Sequence, residues 1–355
     1  MATLEEVAKL AGVSSATASR ALSGRGHVSA ATASKVAEAA DDLGYVVSSA
    51  ASSLASGRTR SVGVIMPDLH RWFFNTVLTG ISETLTRAGF DLTLYNVTSD
   101  AQVRHGIFQS SLRRRRVDAV IAVSLELDEW EAQQLRSLNL PIILIGGSPR
   151  GLPGMAIDDR AVTQLAAEHL LQLGHRRIGY IGGDQAFDVD YHVPTRRRQG
   201  FERALARWPG ASCTELVRSA DFTVAGGYRA AKQLLGQPGT GVTAVVAASD
   251  EMAMGAQLAA KDLGIGVPHQ LSVVGVDGHE LAQLFDLTTV DQDPLGQGRR
   301  AAQRILEQLE SGTDTDDGEL SFDLVVRGSS AAPADSPEPV DQSTRPALRR
   351  VDRLA

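Results

Sequence analysis

Near the start of the chain stands a run of short polar side chains, Ser14-Ser15-Ala16-Thr17-Ala18-Ser19-Arg20. On a helix, Ala18, Ala21 and Leu22 face inward, leaving Ser15, Ala16, Thr17, Ser19 and Arg20 as small or hydrogen-bonding groups on the surface. Short side chains let a helix sit deep in the major groove of DNA, and an arginine there can bond guanine or phosphate. A plain helical hairpin with a serine-rich surface would carry the same local pattern.

The elements that would position this helix are legible on either side of it. Thr3 and Glu6 stand three apart, as in a capping box, and Leu4, Val7, Ala8 and Ala11 repeat with helical spacing. Gly12 supplies the left-handed residue of a sharp turn, and Ser14 caps the second helix. Val28 and Ser29 then read as staple and cap of a third helix that runs to Leu43 and stops at Gly44. Two helices across a tight turn, with a third behind them, are the sequence form of a helix-turn-helix.

Composition bounds what the remainder can be. The chain has 355 residues, of which 43% are hydrophobic, enough for a large core and a small extra domain. Its lone cysteine, Cys213, excludes an internal disulfide framework and fits a reducing compartment. No secretory core marks the first residues and no apolar run suits a membrane helix, so a cytoplasmic location without membrane contact is expected. Residues 1–60 carry six cations against five anions, a charge of +1 that leaves −8 for the rest of a chain of net charge −7. A head so weakly basic depends on the placement of a few cations, on helix N-termini and on pairing two heads.

From about Ser61 to Arg327 short apolar strands alternate with amphipathic helices. The strands expected are Val62–Met66, Asp91–Asn96, Ala119–Val123, Ile142–Ile145, Ile178–Gly182, Ala244–Ala248 and Ser272–Val276, with helical patterns at Phe74–Ala88, Ala161–Leu173 and Met252–Leu263. This rhythm predicts parallel sheets with right-handed crossovers, and it occurs twice, near residues 61–160 and 161–290. The run Arg113–Arg116 lies at a helix end and reads as a solvated face. His169 and His175 lack metal-ligand spacing, and no Walker loop, GxSxG, HExxH or CxxC pattern occurs; neither cofactor, metal nor catalytic residue is expected.

The chain resembles the lactose-repressor/galactose-repressor family of bacterial transcription regulators. The resemblance runs in order through TLEEVAKLAGVSSATASRALSG, HVSAATASKVAEAADDLGY, SLASGRTRSVGVIMPDL, HLLQLGHRRIGYIGG, RRRQGF, AASDEMAMGA, LSVVGVDG and LTTVDQDPLGQG, covering roughly residues 2 to 327. It implies a helix-turn-helix head at 1–46, a hinge at 47–60, and two flavodoxin-like lobes of periplasmic-binding-protein type at 61–327. Lobe N would comprise about 61–160 plus 293–326, and lobe C about 161–290. Residues 328–355, rich in proline and serine, are expected to be a disordered tail.

The same resemblance implies the residues that work. In the head, Ser15, Ala16 and Arg20 would read bases, and Ser14, Thr17, Ser19, His27, Ser29, Thr32 and Tyr45 would fix backbone register. Leu4, Ala51 and Leu54 complete the DNA-facing set, Leu54 as a leucine that wedges into the minor groove when the hinge becomes helical on DNA. Between the lobes, Phe73, Arg197, Phe222, Ser249, Asp277 and Gln292 would contact a small effector. Asp250 stands beside Ser249 and serves equally well as a helix cap. Aromatic walls with a few aspartate, arginine and amide groups suit an uncharged polyhydroxylated ligand.

Three departures from the family pattern stand out: Val47 where proline is usual after GY-hydrophobic, Ser249 where asparagine precedes Asp250, and Asp291 where a basic residue precedes Gln292. The expected function is a homodimeric repressor of carbohydrate-use genes, bound to palindromic double-stranded operator DNA and released by a sugar-like effector. Other readings are a regulator answering a non-sugar corepressor, a sugar-binding transport receptor, and an α/β enzyme with a DNA-binding head; the head and the missing nucleophile weigh against the last two.

Overall fold

The computed structural model describes residues 2–23, 27–45, 57–67, 69–98, 100–147, 151–183, 192–212, 216–312 and 318–334. Most of the expected hinge, including Val47, Ala51 and Leu54, lies outside the described residues.

The head is three helices, α1 (Leu4–Ala11), α2 (Ser15–Ser23) and α3 (Ala30–Asp42). Each start is fixed locally. Thr3 and Glu6 form a reciprocal capping box, Ser14 Oγ accepts from the Thr17 N–H at 3.2 Å, and Ser29 Oγ accepts from the Thr32 N–H at 3.2 Å. Gly12 takes φ +67°, the left-handed turn that swings α2 away from α1. Val7, Ala8, Ala18, Val36, Ala39 and Ala40 close a small core, with Leu4, Val13, Ala21, Leu22 and Tyr45 packed around it. Ala18 is fully buried there.

The body contains two six-stranded sheets. The first is built from β1 (Ser61–Met66), β2 (Asp91–Asn96), β3 (Ala119–Val123), β4 (Ile142–Ile145), β5 (Gly154–Ala156) and β11 (Gly318–Glu319), in the order β2-β1-β3-β4-β5-β11. The second uses β6 (Ile178–Gly183), β7 (Val217–Ala220), β8 (Ala244–Ala247), β9 (Ser272–Asp277), β10 (Thr288–Asp291) and β12 (Asp323–Val325), in the order β7-β6-β8-β9-β10-β12. All pairings are parallel except β10 with β12. The two orders are the same flavodoxin-like winding repeated, and in such sheets the strand ends at the topological switch point form a crevice for ligands.

Helices α4 (Trp72–Arg87), α7 (Asp159–Gln172), α8 (Val193–Ala206), α9 (Val224–Leu235), α10 (Asp250–Asp262) and α11 (Pro294–Ser311) flank the sheets, with the short α5 (Ala101–Gly106) and α6 (Glu129–Arg136) on the first. The strands of the sheet interiors are buried throughout, as β1, β3, β8 and β9 are from end to end, which is why they read as apolar runs.

The chain returns to the first lobe through α11, which lies against α4. A Cβ added at Gly298 would stand 2.0 Å from the Val77 carbonyl oxygen, so only glycine permits this approach.

Two expectations change here. The return to lobe N ends before residue 326, because β12 crosses back and pairs antiparallel with β10. Residues 328–334, expected within a disordered tail, are bound to lobe C. Ser329 is buried and its hydroxyl donates to the Val273 carbonyl oxygen at 2.5 Å and accepts from the Thr288 N–H at 2.8 Å. The Ala331 carbonyl oxygen accepts from the ring Nε2 of buried His175 at 2.8 Å. Proline and serine content signals weak intrinsic structure; these side-chain bonds supply what local propensity lacks.

Candidate functional site

The cleft residues gather at the carboxyl ends of strands from both sheets. Arg71, Phe73 and Phe74 follow β1, Ser124 follows β3, Gly146 follows β4, and Ile157 and Asp159 follow β5. From the second lobe come Val193 and Arg197 on α8 and Asp277 at the end of β9; Gln292 and Gln297 stand where the chain crosses back. The space they enclose is about 40 Å³, close to the share of a single liquid water molecule.

Arg197 is the centre of this arrangement. Its Nε donates to Asp159 Oδ1 at 2.9 Å, and its Nη1 donates to the Ala248 carbonyl oxygen at 2.5 Å and to Asp277 Oδ1 at 3.3 Å. Thr163 Oγ1 donates to the Arg197 carbonyl oxygen at 2.6 Å, which fixes α8 against α7. Gln292 Nε2 donates to Asp277 Oδ1 at 2.6 Å, and Gln297 Nε2 donates to the Gln292 carbonyl oxygen at 2.8 Å. A guanidinium and two carboxylates, all buried and tied together, form a rigid polar floor.

The electrostatics follow from burial. Loss of water opposes the charge on Arg197, yet Asp159 and Asp277 together hold its guanidinium protonated above its usual range. Asp277 is pushed up to about 6 by burial, against the pull of Arg197 and Arg71. Its φ of +124° is a left-handed backbone value for a non-glycine residue, the kind of strain that gathers at binding sites.

Aromatic rings form the walls. Phe73 meets Phe74 edge-on at 5.7 Å between centroids. Phe222 is buried and the Arg71 guanidinium carbon lies 4.3 Å from its ring centroid.

Of the residues expected from the sequence, Phe73, Arg197, Asp277 and Gln292 line this one cleft, and Phe222 borders it through Arg71. Ser249 and Asp250 are engaged elsewhere. Ser249 caps α10, its Oγ accepting from the Met252 N–H at 3.3 Å. The Asp250 carboxylate accepts from the His279 N–H at 2.7 Å and from Thr289 Oγ1 at 2.6 Å. Burial and the charge of Asp277 push its pKa well up. Asp291 also turns from the cleft, accepting from the Asp293 N–H at 2.8 Å.

Asp159 and Arg71 were not singled out from sequence. Asp159 looks like an ordinary acid in the first turn of α7, and only the fold brings it to Arg197.

In the head, Ser15, Ala16, Ser19 and Arg20 are exposed along α2, with Thr17 half-buried. Arg20 Nε donates to the Ala16 carbonyl oxygen at 3.1 Å, which lays the guanidinium along the helix. Ser14, His27 and Ser29 are exposed and Thr32 and Tyr45 half-buried, whereas Leu4 sits half-buried on the head core.

Residues 3–48 match the model for bacterial regulatory proteins of the lacI family, and residues 167–330 match a periplasmic binding protein-like domain. The chain is 36% identical to the HTH-type transcriptional regulator MalR of Streptomyces coelicolor over 345 residues, covering 93% of this chain and 96% of that protein. This chain belongs to the lacI family. Members of the lacI family are transcriptional regulators, not enzymes.

The fold agrees. The lac repressor dimer bound to operator and the anti-inducer ONPF superimposes with a TM-score of 0.80 at 28% identity, covering 93% of this chain and 99% of that one. The transcriptional regulator CelR in complex with cellobiose gives a TM-score of 0.66 at 30% identity, covering 93% and 100%. Among the described residues no helix is long and apolar enough to cross a membrane.

Proposed function

We propose that this lacI-family regulator is a homodimeric repressor of carbohydrate-use genes, which binds a near-palindromic operator and is released when a small sugar-like effector enters the interlobe cleft. The observation that carries the reading is the Arg197 floor, held by Asp159 and Asp277 and walled by Phe73, Phe74 and Phe222, in a chain that also bears a helix-turn-helix head. Hydroxyl groups on neighbouring ring carbons match a forked guanidinium and flanking carboxylates, and the apolar face of a sugar ring matches an aromatic wall. The similar cleft protein solved with cellobiose supports the ligand class.

On this reading Ser15, Ala16 and Arg20 read base edges, while Ser14, Thr17, Ser19, His27, Ser29, Thr32 and Tyr45 contact the phosphate backbone. Dimer symmetry sets the half-site spacing. Coupling between cleft and head of the usual size, about 1–3 kcal/mol, is enough to change operator occupancy tenfold or more.

Thermal unfolding of the chain against a panel of mono- and disaccharides tests the cleft. A true effector at about 100 times its Kd stabilises the folded state by about 2.7 kcal/mol, and Arg197→Met abolishes that shift. A panel in which no sugar moves the midpoint would overturn the ligand class.

A further inference from the structure

Two consecutive residues of the first lobe grip two separate loops of the second. Arg71 and Trp72 stand at the start of α4. The Arg71 guanidinium lies between two rings, 4.9 Å from the Phe74 centroid in its own lobe and 4.3 Å from the Phe222 centroid across the cleft. Trp72 stacks on His279, with centroids 4.2 Å apart and planes 25° apart.

Both receiving rings are held in place. Phe222 is buried, follows the end of β7 and occupies a left-handed backbone position of φ +58°. His279 is buried, its N–H donating to Asp250 Oδ2 at 2.7 Å and its Nδ1 accepting from the Leu281 N–H at 3.0 Å. Asp250 thus gains a purpose that its place at a strand end did not disclose: it anchors the loop that receives Trp72.

The consequence is a closed cleft. Its 40 Å³ falls far below the roughly 300 Å³ at which small-molecule pockets begin. An arginine over an aromatic face in a desolvated setting is a substantial attraction, and an aromatic pair adds to it.

We propose that Arg71 and Trp72 form a clasp that holds the two lobes shut in the ligand-free protein, with the guanidinium lying against the Phe222 face that a ligand's ring would need. The second half rests on the effector reading of the cleft; the first half does not. A sugar ring then competes with Arg71 for Phe222, and entry of the ligand and opening of the clasp become one event.

Closure is measured without any ligand. In the full chain carrying Trp130→Phe and Trp208→Phe, Trp72 is the sole tryptophan, and acrylamide quenching reports its exposure while small-angle scattering reports the separation of the lobes. Arg71→Ala and Phe222→Leu are each expected to lower the closed-to-open ratio by about 2- to 30-fold, raising both the quenching constant and the radius of gyration. Arg71→Lys, which keeps a cation, falls between parent and alanine variant. Circular dichroism establishes that each variant is folded. Folded Arg71→Ala and Phe222→Leu variants whose quenching and radius both equal those of the parent would overturn the clasp. Failure of every sugar to bind would instead sink the effector reading and leave the closure result standing.

Discussion

Asp277→Asn separates the stability of the cleft from its function. Asp277 is buried and its pKa is about 6, against an ordinary 3.8, because burial outweighs the attraction of Arg197. A carboxyl group whose folded pKa lies above its unfolded one contributes stability that is fully present below the unfolded value and is lost as pH rises through the folded value. At pH 7.5 the group is ionised in both states and contributes nothing. At pH 5 the folded protein holds the proton and the unfolded chain does not, which stabilises by about 1.4 kcal/mol, approaching about 3 kcal/mol in strong acid.

Asparagine cannot titrate but keeps an oxygen for Gln292 and Arg197. The variant is therefore expected to be the more stable chain at pH 7.5, and its advantage to shrink by about 1.4 kcal/mol at pH 5. Urea unfolding of both chains at the two pH values gives this difference of differences, from which the other titrating groups cancel. A stability difference independent of pH would refute the reasoning. One that grows in favour of the parent at pH 7.5 would show that the Arg197 pair outweighs burial. The same substitution is expected to cost the effector about 1–3 kcal/mol through the lost charge-assisted bond, so the site holds its charge at the expense of stability.

Four further outcomes follow from the structure. Arg20→Ala is expected to weaken operator binding by about 1–3 kcal/mol in a mobility-shift titration, and unchanged affinity removes Arg20 from base reading. Burial lowers the pKa of His175 and of His169, so the unfolded chain protonates first and stability falls below about pH 6.5, by at most about 1.4 kcal/mol per pH unit for each group; His175→Gln flattens that slope in denaturation curves, and an unaltered slope contradicts it. Gly298→Ala forces α11 away from the Val77 carbonyl oxygen and is expected to lower stability by about 1–3 kcal/mol, read as a drop in the urea midpoint. Ser29→Ala removes the cap of α3 at a cost of about 1 kcal/mol to the head, measured on the head transition by circular dichroism.

Strands buried on both faces declare themselves as apolar runs, and β1, β3, β4, β8 and β9 were legible to within a residue. Edge strands were not: β7 is the half-exposed Val-Arg-Ser-Ala, and β5, β11 and β12 are three residues or fewer, so their pairing is set by neighbours that sequence periodicity does not see. The head was legible almost entirely because its signals are local caps and turns.

The cleft was legible in part. Position at a strand end predicts nearness to the site but not direction, so Arg197 and Asp277 stand in the cleft while Ser249 and Asp250 serve the local framework. Arg71 and Asp159 belong to the site through contacts with residues far away in the chain, and no spacing rule reports those.

The central claim is that one chain couples specific DNA binding by its head to sugar binding in its cleft. A fluorescence-anisotropy titration of the purified protein on its own upstream promoter DNA, repeated with a panel of sugars, tests it most directly. The account predicts tight, salt-sensitive binding that one sugar weakens by about 5- to 150-fold. Absence of specific binding under every condition, or specific binding that no sugar alters, would contradict it.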